Sequence, residues 1–318
     1  MSTTVVGVDL GGTSIKAGLV DSQKGLLRSV SKPTEALEGP DHVLDRVAQA
    51  VLELNPEQQY SGVGIGSPGS VNLARTTVTS PPNFPGWRTQ NLSEALRQRL
   101  GRDIPILVEN DANVAALGSA HFGAGRPYDD FIMVTLGTGV GGAIIVGNKI
   151  FRGSTGGAGE IGHMSIDYEG PVARSGVAGA IEAYLGQRFL SRHARDRLIG
   201  RPPSLIHELA GDDLRELTPE LLYEAAIQGD NAAADIFKWA GHKLGCVLGS
   251  AVNLLDIRKI IIGGGQSAAG DLILEPARRS LKQCVTPGLT EGVEIIREMR
   301  GNDIAQLGAA RLVFDELL

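Results

Sequence analysis

Apolar runs of strand length recur along the chain, and three of them end in glycine-rich turns. The run VVGVDL leads through GGTS into the apolar run IKAGLVD, and FIMVTLGTGVGGAIIVGNKI repeats that arrangement. Placed over each other, VDLGGT (8–13) matches VTLGTG (134–139). The pattern predicts two related strand–turn–strand units. A third transition from strand to glycine turn is predicted at KIIIGGGQS (259–267).

Helical periodicity occupies much of the chain between these strands. Apolar residues recur on one broad face at 41–54, and shorter or more apolar helical patterns follow at 95–100, 231–256 and 303–317. Strands that alternate with helices favour an α/β architecture. A length of 318 residues is enough for two domains of ordinary size.

Composition narrows the function classes. Apolar residues make up 42% of the chain and charged residues 21%, as in globular proteins. The net charge of −6 without a long basic run argues against nucleic acid or an anionic membrane as the main partner. Cys246 and Cys284 lie far apart, which predicts neither a disulfide framework nor a thiolate metal site. The N-terminal segment has no secretory signal pattern and no apolar run approaches ~18 residues, so a cytoplasmic location is expected.

The three glycine turns offer a place for phosphate groups. Gly11 and Gly12 permit close approach of a ligand to the backbone, whose N–H groups can hold phosphate oxygens. Asp9, at the end of the preceding strand, could hold a hydrated Mg²⁺ ion. LGTGVGG (136–142) offers the same geometry with the Thr138 hydroxyl added, and GGG (263–265) leaves room for a flat group such as a nucleotide base. An ordinary glycine hairpin is the alternative at each turn, but three at strand ends indicate a nucleotide site.

Two further segments concentrate polar side chains. In LVENDANVAALG (107–118), Asn110 and Asp111 stand between an apolar strand at 106–108 and a helix that begins near Ala112. Taken alone, such residues are better explained as a helix cap. In GGAGEIGHMSID (156–167), Glu160 and His163 could bind a hydroxyl-rich ligand, since buried polar groups need matched partners. A surface glutamate and a hydrogen-bonded histidine are the alternative.

Six motifs in this order resemble the ROK family of sugar kinases and repressors: DLGGTSIK, GIGSPGSVN, ENDAN, LGTGVGGAII, GEIGHM and IIIGGG. The resemblance implies an α/β fold of the actin-like ATPase (hexokinase) type, with two α/β domains around a cleft. The expected domains are a smaller one at 1–116 plus the C-terminal helix 301–318, and a larger one at 117–300.

The resemblance also assigns roles to individual residues. Asp111 corresponds to the catalytic base. The expected nucleotide ligands form three loops: Asp9, Gly11, Gly12, Thr13 and Lys16; Gly137, Thr138 and Gly139; Gly263, Gly264 and Gly265. The expected sugar contacts are Gly69, Asn83, Asn110, Asp111, Glu160, His163 and Glu182. Asp9 is expected to hold Mg²⁺ through water.

One segment departs from the family pattern. Many members carry three cysteines after the G-H motif, which bind zinc together with the histidine. Here ARSGVAGAIE (173–182) has Ala173, Ser175 and Ala180 at those positions. Neither alanine nor serine supplies a thiolate, so no structural zinc is expected. Packing by Val172, Val177 and Ile181 is a hypothesis for how the segment is held instead.

The expected function is ATP-dependent, Mg²⁺-requiring phosphorylation of a hexose at its 6-hydroxyl, with glucose as the substrate and a homodimer as the assembly. The alternatives are another sugar (N-acetylmannosamine, N-acetylglucosamine, fructose or allose), a polyphosphate donor, or a sugar sensor without catalysis. A repressor is disfavoured because the first phosphate strand begins almost at residue 1, which leaves no room for a preceding DNA-binding motif.

Overall fold

A computed structural model of the chain describes residues 3–55, 57, 59–301 and 303–317. Positions 1, 2, 56, 58, 302 and 318, which fall in the predicted smaller domain, lie outside the described residues. The chain divides into two compact units. The first comprises Met1–Asp130, Ala143–Gly159 and Met299–Leu318, and the second comprises Phe131–Gly142 and Glu160–Glu298. The domain boundaries predicted from the sequence stay predictions.

The strands of the described chain are short, and most are apolar. In chain order they are β1 (Thr4–Leu10), β2 (Ser14–Asp21), β3 (Gly25–Pro33), β4 (Val63–Ser67), β5 (Ser70–Val71), β6 (Thr77–Thr79), β7 (Thr89–Asn91), β8 (Ile106–Asn110), β9 (Phe131–Leu136), β10 (Val140–Val146), β11 (Lys149–Ile150), β12 (Lys259–Gly263) and β13 (Glu294–Arg297).

Periodicity predicts the helices near 41–54, 95–100, 231–256 and 303–317 but not the others, and the described chain contains ten α-helices in all. They are α1 (Pro40–Leu54), α2 (Leu92–Leu100), α3 (Asp111–Phe122), α4 (Glu182–Leu185), α5 (Gln187–Leu198), α6 (Leu205–Ala210), α7 (Pro219–Ile227), α8 (Asn231–Leu255), α9 (Asp271–Cys284) and α10 (Asp303–Leu317). Short 3-10 helices cover Ala36–Glu38, Ile161–His163, Gly265–Ala269 and Pro287–Leu289. Among the described residues, no helix is both long and apolar enough to span a membrane.

The first unit is built on a sheet in the order β3-β2-β1-β4-β8. β1 pairs with β2 in antiparallel fashion, as the predicted strand–turn–strand unit requires, and runs parallel to β4, which runs parallel to β8. Both faces of β1 are covered: Val6 and Val8 belong to the core that includes α1, and Val5 packs with Phe314 of α10. Coverage on both faces explains why VVGVDL is nearly all apolar.

Helices α3 and α10 pack together through glycines. A methyl group at Gly118 would overlap the Ile304 carbonyl oxygen, and one at Gly308 would overlap the Val114 carbonyl oxygen. The absence of a Cβ atom at both positions therefore permits the close approach of the two backbones. This contact fixes α3, whose first residue is the candidate base Asp111.

A second sheet has the order β11-β10-β9-β12-β13. β12 runs parallel to both β9 and β13, and Gly263 at the end of β12 is in register with Thr135 of β9. In the second unit, α8 packs along α9. Asp230 caps α8 by accepting hydrogen bonds from the N–H groups of Ala232 and Ala233.

Candidate active site

The carboxyl ends of three strands carry site residues of the first unit. Asp9 in β1 is in register with Gly66 of β4, and Gly66 is in register with Glu109 of β8. Carboxyl ends of parallel strands meet at one edge of a sheet, where α/β proteins commonly bind ligands. The strand pairing therefore brings Asp9 close to the residues that follow Glu109. The family resemblance places Asp9 and Asp111 in one site, which is consistent with this arrangement.

The turn from β8 into α3, residues 109–113, is here called the strand–helix corner. Asn110 is its cap: the Asn110 Oδ1 atom accepts hydrogen bonds from the N–H groups of Ala112 at 2.9 Å and Asn113 at 3.3 Å. Asp111 begins the helix, and its Oδ1 atom accepts from the Ala112 N–H at 2.8 Å. The capping alternative thus holds for Asn110, and Asp111 also accepts a backbone hydrogen bond at the start of the helix.

A buried carboxylate supports this corner. Glu109 is 2% exposed. Its Oε1 atom accepts from the Asn110 N–H at 3.0 Å and from Asn113 Nδ2 at 2.9 Å, and its Oε2 atom accepts from Arg152 Nε at 2.7 Å. The Arg152 Nη2 atom lies 2.6 Å from the same oxygen. The ion pair offsets the cost of burying the Glu109 charge and holds the backbone on which Asp111 lies.

Sequence reasoning missed both members of that pair. Glu109 stands inside the ENDAN motif, and its signal was a charged residue directly after the apolar run ILV. Arg152 has no comparable signal, because nothing in its spacing relates it to residue 109.

The pKa values of both candidate aspartates are raised. Burial, followed by the nearby Asp111 charge, raises the pKa of Asp9 from 3.8 to about 6, and Lys16 opposes this shift. Burial also raises the pKa of Asp111, although hydrogen bonds from Ala112 and Asn110 oppose the increase. Two carboxylates against one lysine leave an excess of negative charge at this sheet edge. A cation is the group that such an arrangement favours.

The remaining predicted residues of the first unit lie around this edge. The Gly11 N–H donates to the Ser14 carbonyl at 3.0 Å and closes the first glycine turn, with Thr13 exposed at its tip. A methyl group at Gly12 would lie 3.2 Å from Asn83 Cβ. Asn110 Nδ2 donates to the Gly69 carbonyl at 3.3 Å. The structure thus brings the first turn near Asn83 and Gly69 near Asn110.

The second unit brings a different set of predicted residues together. The Gly137 N–H donates to the Gly139 carbonyl at 3.0 Å, which closes the turn that contains Thr138. Directly after this turn, the Val140 N–H donates to Glu182 Oε2 at 3.2 Å. The predicted sugar ligand Glu182 therefore lies against the predicted phosphate turn.

The third glycine run, Gly263–Gly265 in sequence, lies beside the same turn. Gly264 has φ of 82°, and a Cβ atom there would overlap the Leu136 backbone, so this position needs glycine. Gln266 Nε2 donates to the carbonyl oxygens of Gly137 at 2.8 Å and Leu185 at 3.1 Å. The buried Gln266 side chain, which sequence reasoning also missed, thereby ties the two glycine turns together.

Glu160 and His163 lie in the glycine-rich loop, a name used here for residues 160–182. Their side chains are 57% and 37% exposed, and Glu160 Oε2 lies 3.7 Å from His163 Nε2, which is too long for a hydrogen bond. The Ser175 Oγ atom lies 3.1 Å from His163 Nδ1. Ser175, noted in the sequence only as a missing thiolate, is thus a partner of the histidine.

Packing of the glycine-rich loop differs from the hypothesis drawn from the sequence. Val172 and Val177 are 58% and 37% exposed, so their assignment to its packing was wrong, whereas Ile181 is buried. Ala173, Ala180 and Ala183 form a small buried cluster against Phe189. Ala173 and Ala180, at two of the three positions where the family pattern has cysteine, thus pack together, and the bulkier valines lie at the surface. Within the described chain, no three His, Cys, Asp or Glu residues are grouped so as to hold a metal ion. The absence of zinc stays a prediction.

Comparison with known proteins agrees with the motifs. The ROK family profile matches residues 5–316. A glucokinase of Streptomyces coelicolor is 38% identical over 310 residues, 96% of each chain, and one of Thermotoga maritima is 32% identical over 313 residues, 98% of each. A crystal structure of a ROK family glucokinase from Streptomyces griseus with glucose and AMPPNP has a TM-score of 0.86 at 36% identity, covering 98% of this chain and 99% of that one. The predicted α/β fold of the actin-like ATPase type is confirmed.

Proposed function

The chain belongs to the ROK family, and from that premise we propose that it is an ATP-dependent hexose kinase that phosphorylates the 6-hydroxyl group of glucose. One structural observation carries the proposal: Asp111, whose pKa is raised by burial, begins α3 at the carboxyl edge of the first sheet beside Asp9. The relatives named above are glucokinases, which favours glucose among hexoses.

Asp111 is proposed as the general base. A carboxylate with a raised pKa is a stronger base than an ordinary aspartate, which suits removal of a proton from a hydroxyl group. In the proposed step, the 6-hydroxyl oxygen bonds to the γ-phosphorus atom, the bond between that atom and the β–γ bridging oxygen breaks, and the hydroxyl proton moves to Asp111. ADP leaves with the bridging oxygen. Glu109 and Arg152 act in this proposal through the position of Asp111.

The glycine turns are proposed to hold the nucleotide. Backbone N–H groups at Gly11–Thr13 and Gly137–Gly139 suit phosphate oxygens, and the Gly263–Gly265 run suits the adenosine. Mg²⁺, when bound with the nucleotide, neutralises charge on the transferred phosphoryl group. Asp9 is the residue proposed to hold it through water, which fits the excess negative charge that Asp9 shares with Asp111.

The residues proposed to contact the sugar are Gly69, Asn83, Asn110, Asp111, Glu160, His163 and Glu182. Support comes from chemistry, because carboxylate, amide and imidazole groups match sugar hydroxyls as donors and acceptors. Homodimer formation and a cytoplasmic location remain part of the proposal.

The test is a panel of sugars assayed with ATP and Mg²⁺ for ADP release, reporting kcat/KM for each sugar. Glucose should have the highest value. A higher kcat/KM for N-acetylmannosamine, N-acetylglucosamine, fructose or allose would change the proposed substrate but would still support a sugar kinase. The same assay with polyphosphate in place of ATP, followed by measurement of the sugar phosphate formed, tests which compound is the phosphoryl donor.

An Asp111→Asn preparation, purified in parallel, controls for contaminating kinases. If the chain binds sugar but releases no ADP with any sugar of the panel, a sugar sensor without catalysis would be supported instead. Binding to a specific operator DNA would support a repressor.

A further inference from the structure

A cavity of about 520 Å³ in the second unit is lined by α5 and by the 172–174 segment of the glycine-rich loop. Its charged lining residues are all arginines: Arg174, Arg188, Arg192 and Arg195. No described carboxylate lines it, although the chain as a whole carries a net charge of −6. Positive charge is therefore concentrated here against the trend of the molecule.

Helical spacing places three of these arginines on one face. Arg188, Arg192 and Arg195 follow one another at intervals of four and three residues along α5. None of the three forms an ion pair with a described carboxylate, whereas many other arginines of the chain do. Like charges at this spacing destabilise a helix slightly unless a counter-charge is present.

Part of the arginine cluster is held in place by the protein. Arg195 Nε donates to the Leu214 carbonyl at 2.9 Å, and its Nη2 atom donates to the Arg215 carbonyl at 3.0 Å. The Arg192 guanidinium carbon lies 5.4 Å from the centroid of the Phe189 ring. A fixed guanidinium loses less conformational entropy when a ligand binds.

We propose that this cavity binds a small phosphate-bearing anion. Guanidinium groups form paired hydrogen bonds with phosphate oxygens, and several of them match a multiply charged group better than a single carboxylate. A volume of about 520 Å³ lies within the range of small-molecule sites. Val172 and Phe189 supply an apolar wall for an uncharged part of the ligand.

The position of the cavity connects it to the glycine-rich loop. Ala173 lines the cavity and also belongs to the buried cluster with Ala180 and Ala183. Ser175, two residues further along, lies next to His163. A bound anion would therefore bridge α5 and the loop that carries His163. This inference does not depend on kinase activity, and its test measures binding without sugar or nucleotide.

The test is isothermal titration calorimetry of the full chain with inorganic phosphate, tripolyphosphate and glucose 6-phosphate, each in a separate titration. At least one should bind at one site per chain. Arg188→Gln combined with Arg192→Gln should raise its Kd at least about tenfold, since two charge-assisted contacts are lost. The Kd of Arg192→Lys should lie between those of the unmodified chain and the double variant, because lysine keeps the charge but lacks the planar guanidinium group.

Arg197→Gln is the matched control, because Arg197 lies on the same helix but stacks on Trp239 at 4.4 Å and does not line the cavity. Its Kd should stay within about twofold of that of the unmodified chain, as expected of a surface change away from the site.

The three probes distinguish free phosphate, a phosphate chain and a sugar phosphate as the kind of ligand that the cavity binds. Absence of binding at millimolar concentrations of all three, or equal loss in Arg197→Gln, would overturn the proposal. So would binding that the double variant leaves unchanged, since the anion would then occupy another place. Thermal unfolding verifies that each variant is folded.

Discussion

The strand–helix corner and the glycine-rich loop both carry candidate site residues, yet they are held in opposite ways. At the corner, the buried Glu109 accepts three hydrogen bonds and pairs with Arg152. In the loop, Glu160 and His163 are substantially exposed, and no buried ion pair is found among its described residues; its buried side chains include Ala173, Ala180 and Ile181.

The difference matches the roles proposed for the two regions. A general base must be held within a few tenths of an ångström of its working position, and a buried hydrogen-bonded network provides that rigidity. Groups that contact a sugar must exchange water for sugar hydroxyls, so exposure before binding costs little. We therefore expect large effects from changes at the corner and small ones from changes in the loop.

The largest effect is expected from Asp111→Asn. The amide can still accept and donate hydrogen bonds but cannot take the hydroxyl proton, so kcat should fall by ~10²–10⁴. The Kd for glucose should change only a few-fold. Steady-state kinetics and calorimetry measure the two quantities separately. A variant with near-normal kcat would remove Asp111 from the role of base.

A loss of stability is expected next, from Glu109→Ala. The change leaves Arg152 unpaired and Asn113 without its partner, and should lower the free energy of unfolding by ~3–5 kcal/mol. Glu160→Ala in the loop is the control and should cost under ~0.5 kcal/mol. Urea unfolding of both variants checks this contrast, and equal losses would mean that the two regions are held alike.

The pH dependence of the free energy of unfolding tests the raised pKa of Asp9. Its pKa is raised to about 6 in the folded chain, so Asp9 favours folding below about pH 4, and that contribution is lost as the pH rises through about 6. Asp9→Asn should therefore raise the free energy of unfolding by ~1–3 kcal/mol near neutral pH, while kinase activity falls. The gain should shrink toward pH ~4.

Asp212→Asn, an exposed change in the second unit, serves as the control and should alter stability by under ~0.5 kcal/mol at either pH. A stability gain for Asp9→Asn that is the same at both pH values would contradict the charge-based explanation.

A smaller effect is expected from Ser175→Ala. The change removes the partner of His163 Nδ1 at the surface, so stability should change by under ~0.5 kcal/mol. Glucose affinity should fall ~2- to 10-fold because the imidazole loses one hydrogen bond that orients it. Calorimetric titration with glucose, with His163→Ala as the more severe variant, measures the effect. Unaltered affinity in Ser175→Ala would mean that the serine does not orient the histidine.

No effect is expected from chelation. Ala173 and Ala180 fill the positions of two thiolates with a packed apolar cluster, and Ser175 fills the third. EDTA should leave the Tm and, once Mg²⁺ is restored, the glucose affinity unchanged. Elemental analysis provides the independent readout: about one tightly held zinc per chain, lost together with glucose affinity, would show that other residues rebuild a metal site.

The sequence alone determined several of the elements and the identity of most candidate residues. Strand–glycine–strand units at 5–21 and 131–150, the cap at Asn110 and the helices at 231–256 and 303–317 depend on contacts within a few residues, which periodicity and turn chemistry record. The motifs supplied the family and hence the fold. The roles of individual residues remain proposals.

Tertiary structure alone decided which distant residues support the site. Arg152 reaches Glu109, Asp111 raises the pKa of Asp9, and alanines rather than valines pack the glycine-rich loop. Such contacts depend on the path of the whole chain through three dimensions. Burial also sets the strength of a charge interaction, and burial is a property of the folded surroundings that the sequence around one residue does not contain.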